Sequence, residues 1–254
     1  MTTLDAVKLL TNGRDKREPK RREKELAELK LQAAFNSLFK RQRKLIQDRL
    51  RLLNIERKAK TPYDDIFETD PETVAAIARL LLVAAQGGAE IFGDEIAIDF
   101  DNSLTNVEAS KWAQNYAFNL IKDIDTTSKK ALNKAIAQFV DTPGMTIQDV
   151  MDILPYDPSR SLKIAVTEIT RAYAEGQKIA GQTLKEQYPD VRITKTWFTN
   201  NDDRVCELCG SLDMVEVDFD DNFESETPEG EKVEIEQPPL HTFCRCWQST
   251  GTKI

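Results

Sequence analysis

The chain has 254 residues, of which 40% are hydrophobic and 31% are charged, and its formal net charge is −8. This length allows one large domain or two modest ones, and the high charged content suits a helical protein with much solvated surface. No apolar run approaches the ~20 residues that a membrane-spanning helix needs, so we expect no membrane partner.

Residues 14–60 form a basic segment, with 17 lysines and arginines against 7 aspartates and glutamates. Its apolar residues recur with alternating spacings of four and three, which predicts a long helix that packs against another helix. The predicted apolar seam contains Leu31, Phe35, Leu38, Leu45 and Leu52, with Gln42 and Arg49 between them. A basic helical arm over residues 1–62 could contact nucleic acid or an acidic protein surface, or it could be a solvated helix of mixed charge.

Residues 63–157 are predicted to be a helical domain. A first helix is expected to end or bend at the glycine pair Gly87-Gly88. A second helix is expected over residues 105–124, where apolar residues share one helical face. The run Asp125-Thr126-Thr127-Ser128 is typical of a helix N-cap and is expected to open a third helix.

The third predicted domain covers residues 158–254. Asp157-Pro158 is expected to open a long helix, and alternating apolar and polar residues over 191–197 then predict a β-strand. Residues 213–236 hold many acidic side chains, and we expect them to form a hairpin. The predicted fold class is mainly α with a small C-terminal α+β module: a long N-terminal helix, a helical body and a zinc-knuckle-like β/α end.

All four cysteines and the only histidine lie in two short clusters, Cys206-x-x-Cys209 and His241-x-x-Cys244-x-Cys246. This spacing is typical of a structural zinc site. Cys206, Cys209, His241 and Cys244 are the first choice of ligands, and Cys246 could replace either His241 or Cys244. Two disulfides are the alternative, but the start of the chain lacks a signal-peptide pattern, which predicts a reducing cytosolic environment.

An enzyme is not expected from these residues. A catalytic zinc would use an open coordination position, and the sequence has neither a His-Glu-x-x-His motif nor a second histidine. A reactive pair of His241 and Cys244 would have no third orienting group at a recognisable spacing. Glu168 and Arg171 are three residues apart, which predicts an ordinary intrahelical ion pair. With Thr167, they are expected to make a structural contact to the metal module.

Three stretches resemble the C-terminal signature of the phage Mu F-like head-morphogenesis proteins. They are Trp197-Phe198-Thr199, the run from Asp203 to Leu212 that contains the first cysteine pair, and the run from Pro239 to Cys246. The helical segment around Thr167-Glu168 is also similar to that family. The resemblance covers about residues 150–250.

The resemblance implies a minor head protein of a tailed phage or prophage, located in the virion and in the host cytoplasm during assembly. It implies binding to the portal protein and action in head assembly and DNA packaging or delivery. Scaffold protein, major capsid protein and DNA, contacted through the basic arm, are further expected partners. A zinc-binding nucleic-acid-binding protein is the alternative function, which the basic segment favours and the acidic segment opposes.

Overall fold

The computed structural model describes residues 17–53, 64–68, 70–96, 98, 100–101, 103–142 and 144–253. The expected fold class is confirmed, because long helices dominate these described residues and their short antiparallel strands all lie near the C-terminus. The helices are α1 (Arg21–Leu53), a 3-10 turn (Asp64–Phe67), α2 (Pro71–Ile96), α3 (Ser103–Asp141), α4 (Ile147–Ile153), α5 (Pro158–Gln187) and α6 (Glu207–Ser211). The strands are β1 (Arg192–Phe198), β2 (Glu216–Asp218), β3 (Phe223–Glu226), β4 (Lys232–Ile235) and β5 (Trp247–Lys253).

Helix α1 packs against α2 and α5 rather than standing apart from the body. Its buried stripe follows the expected seam as far as Gln42 and then departs from it, because Ile46 and Leu50 are buried whereas Leu45 is 46% exposed. A straight helix repeats every 3.6 residues, so a seam predicted at 3.5 drifts away from the core over several turns. The side chain of Leu52 lies outside the described residues.

One hydrophobic core contains residues of α1, α2, α3, α4 and α5. The boundary expected near residue 62 lies outside the described part of the chain. The division of the chain at residues 62 and 157 therefore stays a prediction.

The glycine pair of α2 neither ends nor bends the helix, which continues to Ile96. A Cβ atom added at Gly88 would lie 2.0 Å from the carbonyl oxygen of Tyr173 on α5. A Cβ atom added at Gly176 of α5 would lie 1.8 Å from the carbonyl oxygen of Ala85 on α2. The glycines thus let the two helix backbones touch where α2 and α5 cross.

Helix α2 also corrects the expectation about apolar length. By length and composition alone, the helical stretch that contains it could cross a membrane. Half of that apolar stretch is buried inside the protein, mainly against α3 and α5. Such burial is what the central helix of a packed helical body requires.

Helix α3 is continuous where a break was expected at residues 125–128. The carboxylate of Asp125 accepts a hydrogen bond from Gln42 Nε2 of α1 at 2.7 Å. The hydroxyls of Thr126, Thr127 and Ser128 donate to backbone carbonyls four residues earlier, at 2.8–2.9 Å. Cap-type side chains can therefore lie inside a helix when they bond its own turns or a neighbouring helix.

The start of α5 agrees with the sequence. Asp157 is the N-cap, its carboxylate accepts from the Ser159 N–H at 2.8 Å, and Pro158 lies in the first turn. Most of this helix is buried, because it packs against α1, α2 and α3 on one side and contacts β5 on another. Helix α5 is therefore one of the two helices, with α2, that connect the helical body to the C-terminal module.

The C-terminal strands form two small sheets. In the first, β1 is central and pairs antiparallel with β2 and β5, with Phe198 opposite Trp247. In the second, β3 and β4 form an antiparallel hairpin with Phe223 opposite Ile235. The strand predicted over 191–197 is confirmed, and the acidic segment forms the expected hairpin together with an added edge strand.

The first sheet is fixed to the helical body by a separate apolar cluster. Phe92 of α2, Leu184 of α5 and Ile193 of β1 pack there against Phe219. On the same side, the Glu95 carboxylate accepts hydrogen bonds from the backbone N–H and the hydroxyl of Thr250, at 2.8 and 2.9 Å. The position of the sheet on α2 and α5 in turn fixes the position of both Cys/His clusters.

Candidate metal centre

The first cluster lies at the start of α6. Cys206 is the N-cap of this helix, and its sulfur accepts a hydrogen bond from the Cys209 N–H at 3.4 Å. The turn places both thiols on the same side of the chain. In the preceding turn, the Asp202 carboxylate accepts a hydrogen bond from the Arg204 N–H at 3.1 Å.

The second cluster lies in a tight turn just before β5. The Cys244 N–H donates to the carbonyl of His241 at 3.1 Å, and Phe243 between them has a positive φ of 65°. The Phe243 N–H donates to the hydroxyl of Thr167 on α5 at 2.8 Å. This bond confirms the predicted structural contact between the Thr167 segment and the Cys/His module.

The structure brings all five candidate ligands together around one small pocket. The Nε2 atom of His241 lies 3.2 Å from the sulfur of Cys206 and 3.4 Å from that of Cys209. The sulfurs of Cys209 and Cys244 are 3.8 Å apart. Cys209 belongs to two groups of possible ligands, one with Cys206 and His241 and one with Cys244 and Cys246. Within each group, all donor atoms lie within 4.8 Å of one another.

These distances fit a thiophilic metal ion. A tetrahedral ion with metal–sulfur bonds of about 2.3 Å and metal–nitrogen bonds of about 2.05 Å places sulfurs about 3.8 Å apart and a sulfur about 3.6 Å from the nitrogen. The Cys209–Cys244 separation matches, and the two sulfur–nitrogen separations are slightly shorter. All four cysteines are free thiols in this structure, which therefore does not have the two disulfides of the alternative interpretation.

The contact of His241 Nδ1 with Thr242 makes Nε2 the nitrogen that would bind a metal ion. That Nδ1 lies 2.9 Å from the carbonyl oxygen of Thr242 and is the natural hydrogen donor in that contact. Burial lowers the pKa of His241, but the Thr242 carbonyl and the charges of Cys244 and Cys206 outweigh burial and raise it. The raised pKa favours the protonated ring, so a metal ion would have to displace the Nε2 proton before that nitrogen could bind it.

The buried thiols share their protons unequally. Hydrogen bonds from Cys209 and Cys246 lower the pKa of Cys244 to about 2. Its thiolate in turn raises the pKa of Cys209 above the ordinary value. A hydrogen bond with Cys209 lowers the pKa of Cys246, but the hydrogen bond with Cys244 and burial outweigh it and raise that pKa. Cys244 is therefore the thiol of this group that ionises first.

A buried polar frame holds the two clusters together. Arg245 Nη2 donates to the Asp202 carboxylate at 2.5 Å, and Asn200 Nδ2 donates to the Arg245 carbonyl at 2.8 Å. Trp197 is fully buried in the same apolar cluster as Cys209, Cys244 and Cys246. The cysteine spacing could not identify Asn200, Asp202 and Arg245 as part of the site. Their hydrogen bonds join residues that are more than 40 positions apart in the sequence.

The Glu168 carboxylate belongs to a bonded network between helices. Tyr116 of α3 donates to Glu168 Oε2 at 2.6 Å, and Arg171 Nε lies 3.3 Å from the same oxygen, which confirms the predicted ion pair. Burial raises the pKa of Glu168 despite these two partners. This network joins α3 to α5 beside Thr167. The partners of Glu168 are therefore those of a structural contact between helices.

Part of the basic character of α1 is neutralised within the protein. The Lys24 amino group pairs with Glu18 at 2.6 Å, with both side chains buried, and Arg49 pairs with Asp65 at 2.5 Å. Arg41 pairs with Asp70 at 3.1 Å, and Lys20 pairs with Glu90. The surface that α1 offers to a polyanion is therefore less positive than the count of its side chains suggests.

The fold and the Cys/His centre together define a helical protein whose small C-terminal module can hold a metal ion. A family model described as Phage Mu protein F like protein matches residues 119–249, just over half of the chain, and the chain belongs to this family. The matched part begins within α3 and includes α5 and both Cys/His clusters. No curated protein and no solved structure matched the chain. Membership in this family supports the conclusion that the chain is a structural protein of phage head morphogenesis.

Proposed function

We propose that this chain is a minor head protein of a tailed phage or prophage that binds the portal and acts in head assembly and in DNA packaging or delivery. The observation that carries this proposal is the family match over residues 119–249. The protein would enter the virion and would be present in the host cytoplasm while heads assemble. Scaffold and major capsid proteins are further candidate partners at that stage.

A phage with this gene inactivated and supplied from a plasmid tests the proposal directly. We expect the complemented phage to contain the chain in purified heads, detected by mass spectrometry, and to give normal heads in electron micrographs. Without the plasmid, heads should be misassembled or fail to retain DNA. A normal yield of infectious particles without the protein, or heads that never contain it, would refute the proposed role.

Charge supports an electrostatic component in docking. Residues 213–236 contain 11 acidic side chains and one lysine, whereas residues 14–60 carry an excess of positive charge. In the β3–β4 hairpin, Glu224 lies directly opposite Glu234, an arrangement of like charges that costs stability in isolation. A basic surface on the portal or on another head protein would relieve this repulsion.

Co-purification with the portal protein at increasing salt tests that component. We expect recovery of the complex to fall with salt and to weaken in a Glu224→Lys/Glu234→Lys variant, because exposed charges are screened beyond roughly 10 Å at 0.1 M salt. Asp190→Lys, at an exposed turn outside the hairpin, is the control with the same type of charge change. Salt-independent recovery would contradict docking by charge.

For the metal centre, we propose a structural zinc ion held by Cys206, Cys209, His241 and Cys244. Cys246 is the alternative fourth ligand, since it shares a donor group with Cys209 and Cys244. A bound zinc would supply folding free energy to a module whose apolar clusters are small. The chain's own contribution is to orient His241 through Thr242 and to hold the two turns against α5 and Asp202.

Metal analysis of protein purified under reducing conditions tests the zinc. We expect about one equivalent, and less than about half an equivalent would overturn the proposal. Cys244→Ser should release most of the metal, whereas Cys246→Ser should retain it. The opposite result would exchange the roles of these two cysteines and leave the site itself in place.

Nucleic-acid binding remains a partner proposal rather than the preferred function. The exposed lysines and arginines of α1 could contact DNA, but several of its cations are paired within the protein. A filter-binding assay with a salt titration measures this contact, because each phosphate contact adds to the steepness of the salt dependence. Binding without a salt slope would exclude an electrostatic DNA contact.

A further inference from the structure

Three buried polar atoms at the junction of α5 and β5 have no hydrogen-bond partner among the described residues. They are Thr170 Oγ1 on α5 and, on β5, the indole Nε1 of Trp247 and the amide oxygen Oε1 of Gln248. Most buried polar atoms in folded proteins are bonded to protein or to an ordered water. Three such atoms at one junction therefore indicate a shared partner.

All three residues line the same small cavity, of about 20 Å³. A cavity that holds one water molecule needs a free volume of about 10–15 Å³, and the water needs two to four polar partners. The other residues that line the cavity include Pro19, Lys24 and Tyr173. The Lys24 amino group is already bonded to Glu18 at 2.6 Å, so no charged group there calls for an ion.

We infer that this cavity is a binding site for one ordered water molecule, which bridges α5 and β5. The donors and acceptors balance. The Trp247 N–H donates to the water, the water donates to Gln248 Oε1, and the Thr170 hydroxyl can accept the second water hydrogen or donate to the oxygen. No other single molecule of this size satisfies an indole donor, an amide oxygen and a hydroxyl together.

The site lies where the helical body meets the sheet that follows the Cys/His centre. Strand β5 begins at Trp247, the residue after Cys246, and Gln177 of α5 donates through Nε2 to the Gln248 carbonyl at 3.2 Å. The bridging water adds a second polar connection beside that direct bond. This inference is independent of the proposed phage role and of the metal.

A crystal structure of the full chain that resolves ordered waters tests the site. The expected result is one water oxygen within about 2.7–3.2 Å of Trp247 Nε1, Gln248 Oε1 and Thr170 Oγ1. A cavity without solvent density, or rotated side chains that bond one another directly, would overturn the inference. An ion or organic molecule in the cavity would also overturn it.

Solution NMR gives a second test that needs no crystal. A long-lived water should give a cross-peak to the indole N–H of Trp247, assigned with Trp247→Phe. The internal control is Trp197, whose indole N–H is buried beside Cys246 and which does not line this cavity. Equal water cross-peaks at both indoles, or none at Trp247, would contradict a localised water.

A pair of variants separates the water from simple packing. Thr170→Val keeps the shape but removes one hydrogen-bonding group, and should weaken the Trp247 cross-peak and lower Tm by about 2–4 °C. Thr170→Ser keeps the hydroxyl and should retain the cross-peak. If Thr170→Val retained the cross-peak undiminished, the threonine would not be a partner of the water and the three-point site would be wrong.

Discussion

Replacing Gly176 by alanine should destabilise the protein because it forces apart the two central helices. The added Cβ would lie 1.8 Å from the Ala85 carbonyl oxygen and 2.6 Å from its carbonyl carbon. Contacts under 3.0 Å essentially never occur, so α2 and α5 must separate locally by at least about 1.2 Å. Both obstacles are helix backbone atoms, so no side-chain rotation can relieve the clash.

The size of the effect follows from two opposing terms. Overpacking a core costs roughly 1–3 kcal/mol and occasionally more, and a clash with backbone belongs at the upper end. Alanine is favoured over glycine within a helix by about 1 kcal/mol, which offsets part of that cost. We expect a net loss of about 2 kcal/mol in the free energy of unfolding.

Gly93→Ala is the matched control, since Gly93 lies in α2 and a Cβ added there would meet nothing within 4 Å. It should raise the free energy of unfolding by up to about 1 kcal/mol. Urea unfolding followed by far-UV circular dichroism should therefore separate the two midpoints by roughly 1 M at a slope near 3 kcal/mol/M. Equal stability of the two alanine variants would refute the close-crossing argument.

Three further predictions concern contacts around the metal centre. Thr167→Val should lower the free energy of unfolding by about 1–3 kcal/mol, because the Phe243 N–H loses its acceptor, while Thr167→Ser should cost less. Because burial raises the pKa of Glu168, the native state holds a proton that the unfolded state releases above about pH 4.3. Wild type should therefore lose stability relative to Glu168→Gln between pH 4 and pH 7 in urea titrations, and the reverse slope would contradict this sign. A zinc chelator should lower Tm in wild type but have little effect in Cys209→Ser; equal shifts in both proteins would point away from the cluster.

Local signals explain which elements the sequence predicts well. Asp157-Pro158 caps α5 without help from distant residues, and the alternation over 191–197 survives because β1 has one strongly buried face. The two Cys/His clusters were recognisable as one site because their residue types and spacings are rare. Their meeting in space then follows from β5 pairing with β1.

Tertiary contacts explain where the sequence misleads. Asp125 has the side chain of a helix cap, but its partner is Gln42, which is 83 residues away. The Gly87-Gly88 pair resembles a helix end, but Gly88 is required by the approach of Tyr173. In each case a neighbour that only folding supplies decides between two local conformations. The frame of Asn200, Asp202 and Arg245 was missed for the same reason.

The two Cys/His clusters enclose residues 210–240, and the ion would join only the two ends of this loop. The entropy of closing a flexible loop grows slowly, by about 0.6 kcal/mol for each doubling of its length. The enclosed chain includes the β3–β4 hairpin, which has a turn at Gly230 where φ is +85°. Extra residues at that turn should therefore leave the site intact, so this loop is free to diverge in length and charge while the centre beneath it stays unchanged.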